Sequence, residues 1–370
     1  MKKLRYKNIF MYGSLQFCGN IEEYFSQNTE KLLVFIVMPR LKNKYNLLRM
    51  YKRKKIVVET KIWSSDNIFL YYTLWYLNYI KIIITNYKRE EEFTIISWHP
   101  VSFFGMTIQK LFRKITFVCF IGDYFPGNSL AIRIFEGLKK KYHDSVMFSV
   151  YLSDGINKKL NGKILNTNNR KTIMWGVKKL LKPKESFVKD GQFNILFVGL
   201  IKDSQGLEFL FDFLNKYKSY SVKIIGICDN SLYARYQVKL RKLKIENRVF
   251  FPNLFYSNEK LLEIAKTCHV GVALYDQNKS NPTYYTDPGK VKSYAEMGLP
   301  VIMTNTSGIA PFITKFKSGI VINRNMDDLG KALIKMKKNY NEYITGLEKF
   351  MEYFEFKKYY REKYAFLENL

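Results

Sequence analysis

The run from Thr286 to Ile302, TDPGKVKSYAEMGLPVI, limits the fold of this chain more than any other stretch. It joins a turn to a helix start, the helix to a Gly-Leu-Pro turn, and that turn to an apolar strand. Asp287 and Pro288 suit a helix N-terminus, where Pro is tolerated in the first turn. Val291, Tyr294, Ala295 and Gly298 fall on one helical face. Gly298 ends the helix and Pro300 forbids its continuation. Val301-Ile302-Met303 then reads as a buried strand. A helix start preceded by Gly289 and accompanied by Lys290 is suited to binding an anion.

Apolar β-rich runs alternate with helical patterns along the rest of the chain, which predicts doubly wound parallel sheets. In the first half the expected strands are 8–12, 32–38, 56–59, 93–98, 115–121 and 146–150. Helical patterns fall at 21–29, 67–84, 101–112 and 129–141. The second half restarts the alternation, with strands at 193–198, 222–227, 248–251, 270–274 and 319–322. Helices are expected at 206–217, 232–243, 258–267 and 326–338, with a helical tail from Tyr340. The charged, irregular stretch from Lys178 to Gln192 marks the boundary. The expected units are an N-terminal domain 1–182, a second domain 183–345, and a C-terminal helix 346–370 packing back toward the first.

Of 370 residues, 47% are hydrophobic, enough for two cores, and 61 Lys and Arg against 32 Asp and Glu give +29. That excess implies anionic partners, with codon bias of an AT-rich genome as the bland alternative. Lys dominates it, which favours a phospholipid surface over base readout. Four dispersed cysteines and three histidines argue against a zinc cluster and suit a reducing compartment. The start MKKLRYKNIF lacks the apolar core of a signal peptide. Ile68 to Thr85 is the greasiest stretch, interrupted by Asn78 and Lys81. It is expected as a buried crossover helix, or one partly lying on a membrane, rather than a span.

Three stretches carry a family resemblance. The first is ILFVGLIKDSQGL at 195–207. The second is VFFPN at 249–253, followed by a helix and VGVALY at 270–275. The third is the run opening this section, continuing to Asn305-Thr306-Ser307-Gly308. Their order and spacing resemble the nucleotide-sugar-binding domain of family 4 glycosyltransferases. That resemblance covers residues 170–370 well and the first half by pattern alone. It implies the GT-B fold: α/β, with two Rossmann-like doubly wound domains facing a cleft. There are departures. Leu200 and Gln205 stand where many members carry Arg and Lys, and Ser293 where a ribose-binding Glu is common. The chain is thus expected to be a divergent member.

The resemblance implies a donor site of Gly13, Gly199, Lys202, Tyr285, Thr286, Asp287, Pro288, Gly289, Lys290 and Ser293. Asp123, after the strand 115–121, and His99, after the strand 93–98, are the candidate catalytic residues, because a base must reach the acceptor hydroxyl. Each has a plainer reading: Asp123 as a turn cap, His99 as a core histidine, Lys290 as a solvated helix lysine. Lys292 points away from the Lys290 face and is left out. The implied activity is transfer of a hexosyl or other sugar from a UDP- or GDP-linked donor to a glycan or lipid-linked acceptor, in cell-surface polysaccharide biosynthesis. No cofactor is expected; Lys and helix dipoles would take the place of a metal, and no DxD cation motif is convincing. The expected location is the cytoplasm, on the inner face of the membrane, with an anionic lipid surface and no specific nucleic acid as partner. A sugar-nucleotide epimerase or phosphorylase, an inactive GT-B scaffold and a basic nucleic-acid-binding protein remain open alternatives.

Overall fold

A computed structural model describes residues 4–14, 19–38, 45–97, 102–106, 114–127, 129–183, 193–306 and 308–369. The chain divides into two compact units. One is Met1–Gly176 with Phe356–Leu370; the other is Val177–Glu355. Both are α/β with parallel sheets, as the alternation in the sequence predicts.

The first unit holds β1 (Tyr6–Ser14), α1 (Ile21–Asn28), β2 (Thr29–Val37), β3 (Tyr45–Lys52), β4 (Lys55–Trp63), α2 (Ile68–Asn86) and β5 (Phe93–Ser97). It continues with α3 (Ser102–Gly105), β6 (Ile115–Ile121), α4 (Leu130–Ser145), β7 (Phe148–Tyr151), α5 (Asp154–Asn161) and β8 (Arg170–Thr172). The sheet order is β4-β3-β2-β1-β5-β6-β7-β8. Pairings from β2 through β8 are parallel, whereas β3 and β4 form an antiparallel hairpin at the edge. That hairpin departs from the all-parallel expectation, and β3 was not foreseen. Its tip is Arg53-Lys54, both at positive φ (47° and 77°), a conformation that Asn or Gly would have advertised.

Strands β2 and β6 are nearly continuous apolar runs, and β1 from Ile9 to Tyr12 and all of β5 are buried, as in a sheet covered on both faces. Helix α2 starts at Asn67, whose side chain accepts the amides of Phe69 and Leu70. It lays Tyr71, Trp75 and Tyr79 onto Tyr12 and Phe10 of β1. Helices α2, α3 and α4 adjoin in that order. Their crossovers all step in one direction along the sheet, so right-handed connections set them on one face. Gly105 permits the α2–α3 contact: a Cβ there would sit 2.3 Å from the Tyr79 ring.

The second unit holds β9 (Phe193–Val198), α6 (Leu207–Lys216), β10 (Tyr220–Ile225), α7 (Asn230–Leu243), β11 (Val249–Phe250), α8 (Asn258–Lys266), β12 (Val270–Ala273) and α9 (Gly289–Glu296). Then follow β13 (Val301–Thr304), α10 (Ala310–Phe316), β14 (Gly319–Ile322), α11 (Met326–Lys338) and α12 (Tyr340–Tyr353). The sheet is wholly parallel, in the order β11-β10-β9-β12-β13-β14. Helix α13 (Phe356–Lys363) lies in the first unit, where it adjoins α1. There the Tyr360 hydroxyl donates to the Gly19 carbonyl at 2.7 Å and accepts from the Gly176 amide at 2.6 Å.

A buried polar cluster ties α4 to β7 and β8. His143 Nδ1 faces Asp144 Oδ1 at 2.8 Å, and its Nε2 faces the Tyr151 hydroxyl at 2.7 Å and Arg170 Nη1 at 2.6 Å. Arg can only donate, so Nε2 accepts and the ring is neutral, with its proton on Nδ1. Burial lowers the His143 pKa below its ordinary 6.5, with Arg170 acting in the same direction and Asp144 opposing. The unfolded chain therefore binds the proton more readily. Stability is fully present above pH 6.5 and is lost as the pH falls below it toward the lowered folded value. Urea titrations between pH 7.5 and 5.5 should show this loss, and His143→Gln should flatten the slope. An unchanged slope in that variant would contradict the neutral, buried assignment.

Candidate functional site

In the second unit, the first and fourth strands in sequence, β9 and β12, lie side by side at the centre of the sheet. The chain leaves them toward opposite sheet edges, so a crevice opens at their carboxyl ends. Their ladder is short, with only Ile195↔Val270 and Leu196↔Gly271 in register. Beyond those pairs the Tyr294 side chain of α9 enters. Its hydroxyl accepts from the Val198 amide at 3.0 Å and donates to the Val272 carbonyl at 2.9 Å. It therefore replaces a strand-to-strand hydrogen bond with a bridge through one oxygen. Burial raises the pKa of this phenol, so it keeps its proton. Gly271 makes room for it: a Cβ there would lie 2.2 Å from the Tyr294 ring.

Lys290 sits one helical turn before Tyr294, on the same side of α9. Its Nζ donates to Gln205 Oε1 at 2.6 Å and lies 3.8 Å from the centroid of the Phe197 ring and 5.2 Å from that of Tyr275. Phe197 belongs to β9 and Tyr275 follows β12, so the ammonium stands at the mouth of the crevice. Burial pulls its pKa down to about 7. Gly199, at φ 130°, forms the facing wall; the backbone adopts a conformation there that a side chain would strain. Gly206, at φ 81°, lets the loop after β9 press against the end of β12, where a Cβ would meet the Leu274 carbonyl at 2.3 Å. The Asp276 amide closes that contact on Ser204 O at 3.1 Å.

Helix α9 begins at Gly289 with Pro288 at its cap position, and no side chain caps it. Asp287 turns inward instead. Its Oδ2 lies 3.9 Å from Lys292 Nζ, with the two side chains 0% and 3% exposed. The Lys292 ammonium also stands over the Phe354 ring at 3.1 Å and near that of Phe350 at 5.2 Å. Desolvation lowers the Lys292 pKa to about 8, against the opposing charges of Asp287 and Glu296. The helix ends as expected. Gly298, at φ 72°, donates to Ala295 O, and the Leu299 amide reaches back to Tyr294 O, two bonds that together form a Schellman motif.

The structure gathers Gly199, Lys290 and the turn Thr286–Gly289 around one crevice end. Thr286 and Asp287 are buried. Tyr285 is half-buried, its ring 5.2 Å from that of Tyr284 in an edge contact. Lys202, in the loop after β9, is exposed. The Ser293 hydroxyl donates to Gly289 O at 3.2 Å, within its own helix. In the first unit, Gly13 is buried and lies inside β1, paired with Ile36, since that strand runs on through Ser14. Asp123 follows β6 and is exposed; its carbonyl accepts from Lys139 Nζ at 2.7 Å. His99 lies outside the described residues. Gln205, Tyr294 and Lys292 carry roles that the sequence reading missed or set aside. Among the described residues, no group of three or more His, Cys, Asp or Glu side chains is placed to hold a metal ion.

Residues 211–364 match the model of the glucosyltransferase 3-like C-terminal domain. No curated protein matches the sequence. Among solved structures, the chain is similar to sucrose-phosphate synthase from Thermosynechococcus elongatus, with TM-score 0.70 and 14% identity over 97% of this chain and 99% of that one. It is similar to the apo form of the lipopolysaccharide outer core galactosyltransferase WaaB, with TM-score 0.63 and 18% identity over 98% and 100% of the two chains. It is also similar to Anabaena HepE in complex with UDP, with TM-score 0.66 and 12% identity over 98% and 100%. The resemblance to GT-B glycosyltransferases read from the sequence is borne out, and the fold is GT-B.

Lys292→Met should destabilise the second unit by about 3 kcal/mol in urea unfolding, because it strips the partner from a buried carboxylate. A change below about 0.5 kcal/mol, the range of ordinary surface substitutions, would show that the pair does not hold the turn.

Proposed function

We propose that this chain is a glycosyltransferase that uses a nucleotide-sugar donor. The observation that carries the reading is the half-buried Lys290 ammonium at the carboxyl ends of β9 and β12, where an open α/β sheet binds its ligand. The UDP bound to the similarly folded HepE supports a UDP-linked donor, with a GDP-linked donor as the other choice. Lys290 and the backbone amides opening α9 would hold the diphosphate.

In the transfer, the bond between the anomeric carbon and the diphosphate oxygen breaks as an acceptor hydroxyl attacks that carbon. Negative charge grows on the diphosphate, and Lys290 sits where it would stabilise that charge. In this reading the site's own cation does so, with no metal assigned. Asp123 is the proposed acceptor of the hydroxyl proton, with His99 as the second choice. The fold it shares with a lipopolysaccharide galactosyltransferase supports hexosyl transfer to a glycan or lipid-linked acceptor in surface polysaccharide synthesis. With such an acceptor, the location that goes with this reading is the cytoplasm, on the inner face of the membrane.

Transfer of radiolabelled sugar from UDP- and GDP-sugars to isolated membranes should fall ~10²- to 10³-fold in Lys290→Ala. Full activity in that variant would sink the phosphate role. Burial lowers the Lys290 pKa to about 7, and a bound anion favours its protonated form. Donor affinity should therefore be flat below pH 7 and weaken as the pH rises above it, with proton uptake on binding near neutrality. Calorimetry in buffers of different ionisation enthalpy reads that uptake. Its absence in the wild type would contradict the assignment.

A further inference from the structure

We infer that the outer face of α2 and α4 in the first unit is a docking surface for an anionic lipid bilayer. Helix α2 is apolar on two sides. One side buries Tyr71, Trp75, Tyr79, Ile82 and Ile83 against the sheet. The opposite side exposes Phe69 at 82%, with Leu77 and Ile84 about half exposed. A helix that is apolar all round and covered on one side alone has its other side made for an apolar environment. Length and hydropathy would allow α2 to cross a membrane, but 28% of its apolar window is buried in the fold. Its packing onto β1 fixes it as a helix lying along a surface rather than through one.

Helix α4, on the same face of the sheet, exposes apolar side chains of its own. Leu130 is 72% exposed and Ile134, one turn on, about half exposed. Large exposed apolar side chains on both helices of one sheet face mark an interaction surface.

Charge selects the occupant. Between Asp66 and Glu90, which bound the stretch, the chain carries Lys81, Lys88 and Arg89, all exposed, and no Asp or Glu. On α4, Lys140 and Lys141 are exposed, while Glu136 is paired with Lys139 at 2.5 Å. Apolar side chains interleaved with these lysines, on a chain of formal net charge +29, match a phospholipid surface, whose headgroups are negative and whose interior is hydrocarbon. A second copy of this chain would bring the same positive charge to the contact.

The inference gives the membrane location proposed above a face of the fold. It uses no part of the donor site, and vesicle binding is read without any sugar donor, so either reading can fail alone. The test is flotation of the full chain with vesicles of phosphatidylglycerol and phosphatidylcholine, against phosphatidylcholine alone. Binding should require the anionic lipid and weaken in high salt. The triple variant Phe69→Ser, Leu77→Ser, Ile84→Ser should lower partitioning by more than about tenfold, since each loss removes buried apolar area. Lys81→Gln and Lys140→Gln should each cost about fivefold. In Leu77→Trp, a substitution at an exposed position, the new indole fluorescence should be quenched by brominated lipid. Undiminished binding of the triple variant, or no quenching of that new indole, would overturn the inference. So would a wild-type dimer that ignores vesicles and becomes monomeric in the triple variant, for the face would then belong to a second copy.

Discussion

The second unit turns on one oxygen atom. The Tyr294 hydroxyl stands between β9 and β12, taking the Val198 amide and giving to the Val272 carbonyl. Without it, two polar backbone groups at the point where the strands part would need other partners, at a cost of about 1–3 kcal/mol for each one left buried. With it, the strands separate in order, and the crevice they open is fixed to the helix that carries Lys290. The same residue thus shapes the site and aims the cation into it. Gly271 is the complement, a strand position with no side chain because the ring occupies that space.

Lys290 is held against its own chemistry. Burial disfavours its charge, and among the described residues the Gln205 amide oxygen and the faces of Phe197 and Tyr275 offset that cost. In the proposed reading, an arriving anion would favour the protonated form of this lysine. Gln205, at a position where the glycosyltransferases that the sequence resembles often carry Lys, orients Lys290, where a second ammonium would repel it. Lys292, two residues on, is fully buried but has a carboxylate beside it, and it anchors the turn. Neighbouring lysines on one short helix thus do different work because one meets Asp287 and the other the open crevice.

Much of this was legible in the sequence. The alternation of apolar runs and helical patterns located most strands, and the helix 289–296 with its Gly298 stop follows from periodicity and backbone freedom. What escaped depends on partners far away in the chain. Lys292 is set aside for facing away from Lys290 until Phe350 and Phe354 of a distant segment are placed over it. Asp287 reads as a helix cap until its partner is seen to be inside. Tyr294 reads as core, and is core; that its hydroxyl spans two strands requires the strand order. The hairpin β3–β4 was missed because its turn is Arg53-Lys54, and no local rule marks a basic tip as left-handed.

The central claim is that the crevice at β9 and β12 binds a nucleotide diphosphate through Lys290. A thermal-shift series with UDP, GDP, CMP and their sugars tests it most directly, since a ligand that binds the native state alone raises the melting temperature by mass action. The account predicts a rise with UDP or GDP, with little response to CMP, and a rise much reduced in Lys290→Ala. Equal stabilisation of wild type and variant by every nucleotide, or none by any, would contradict it.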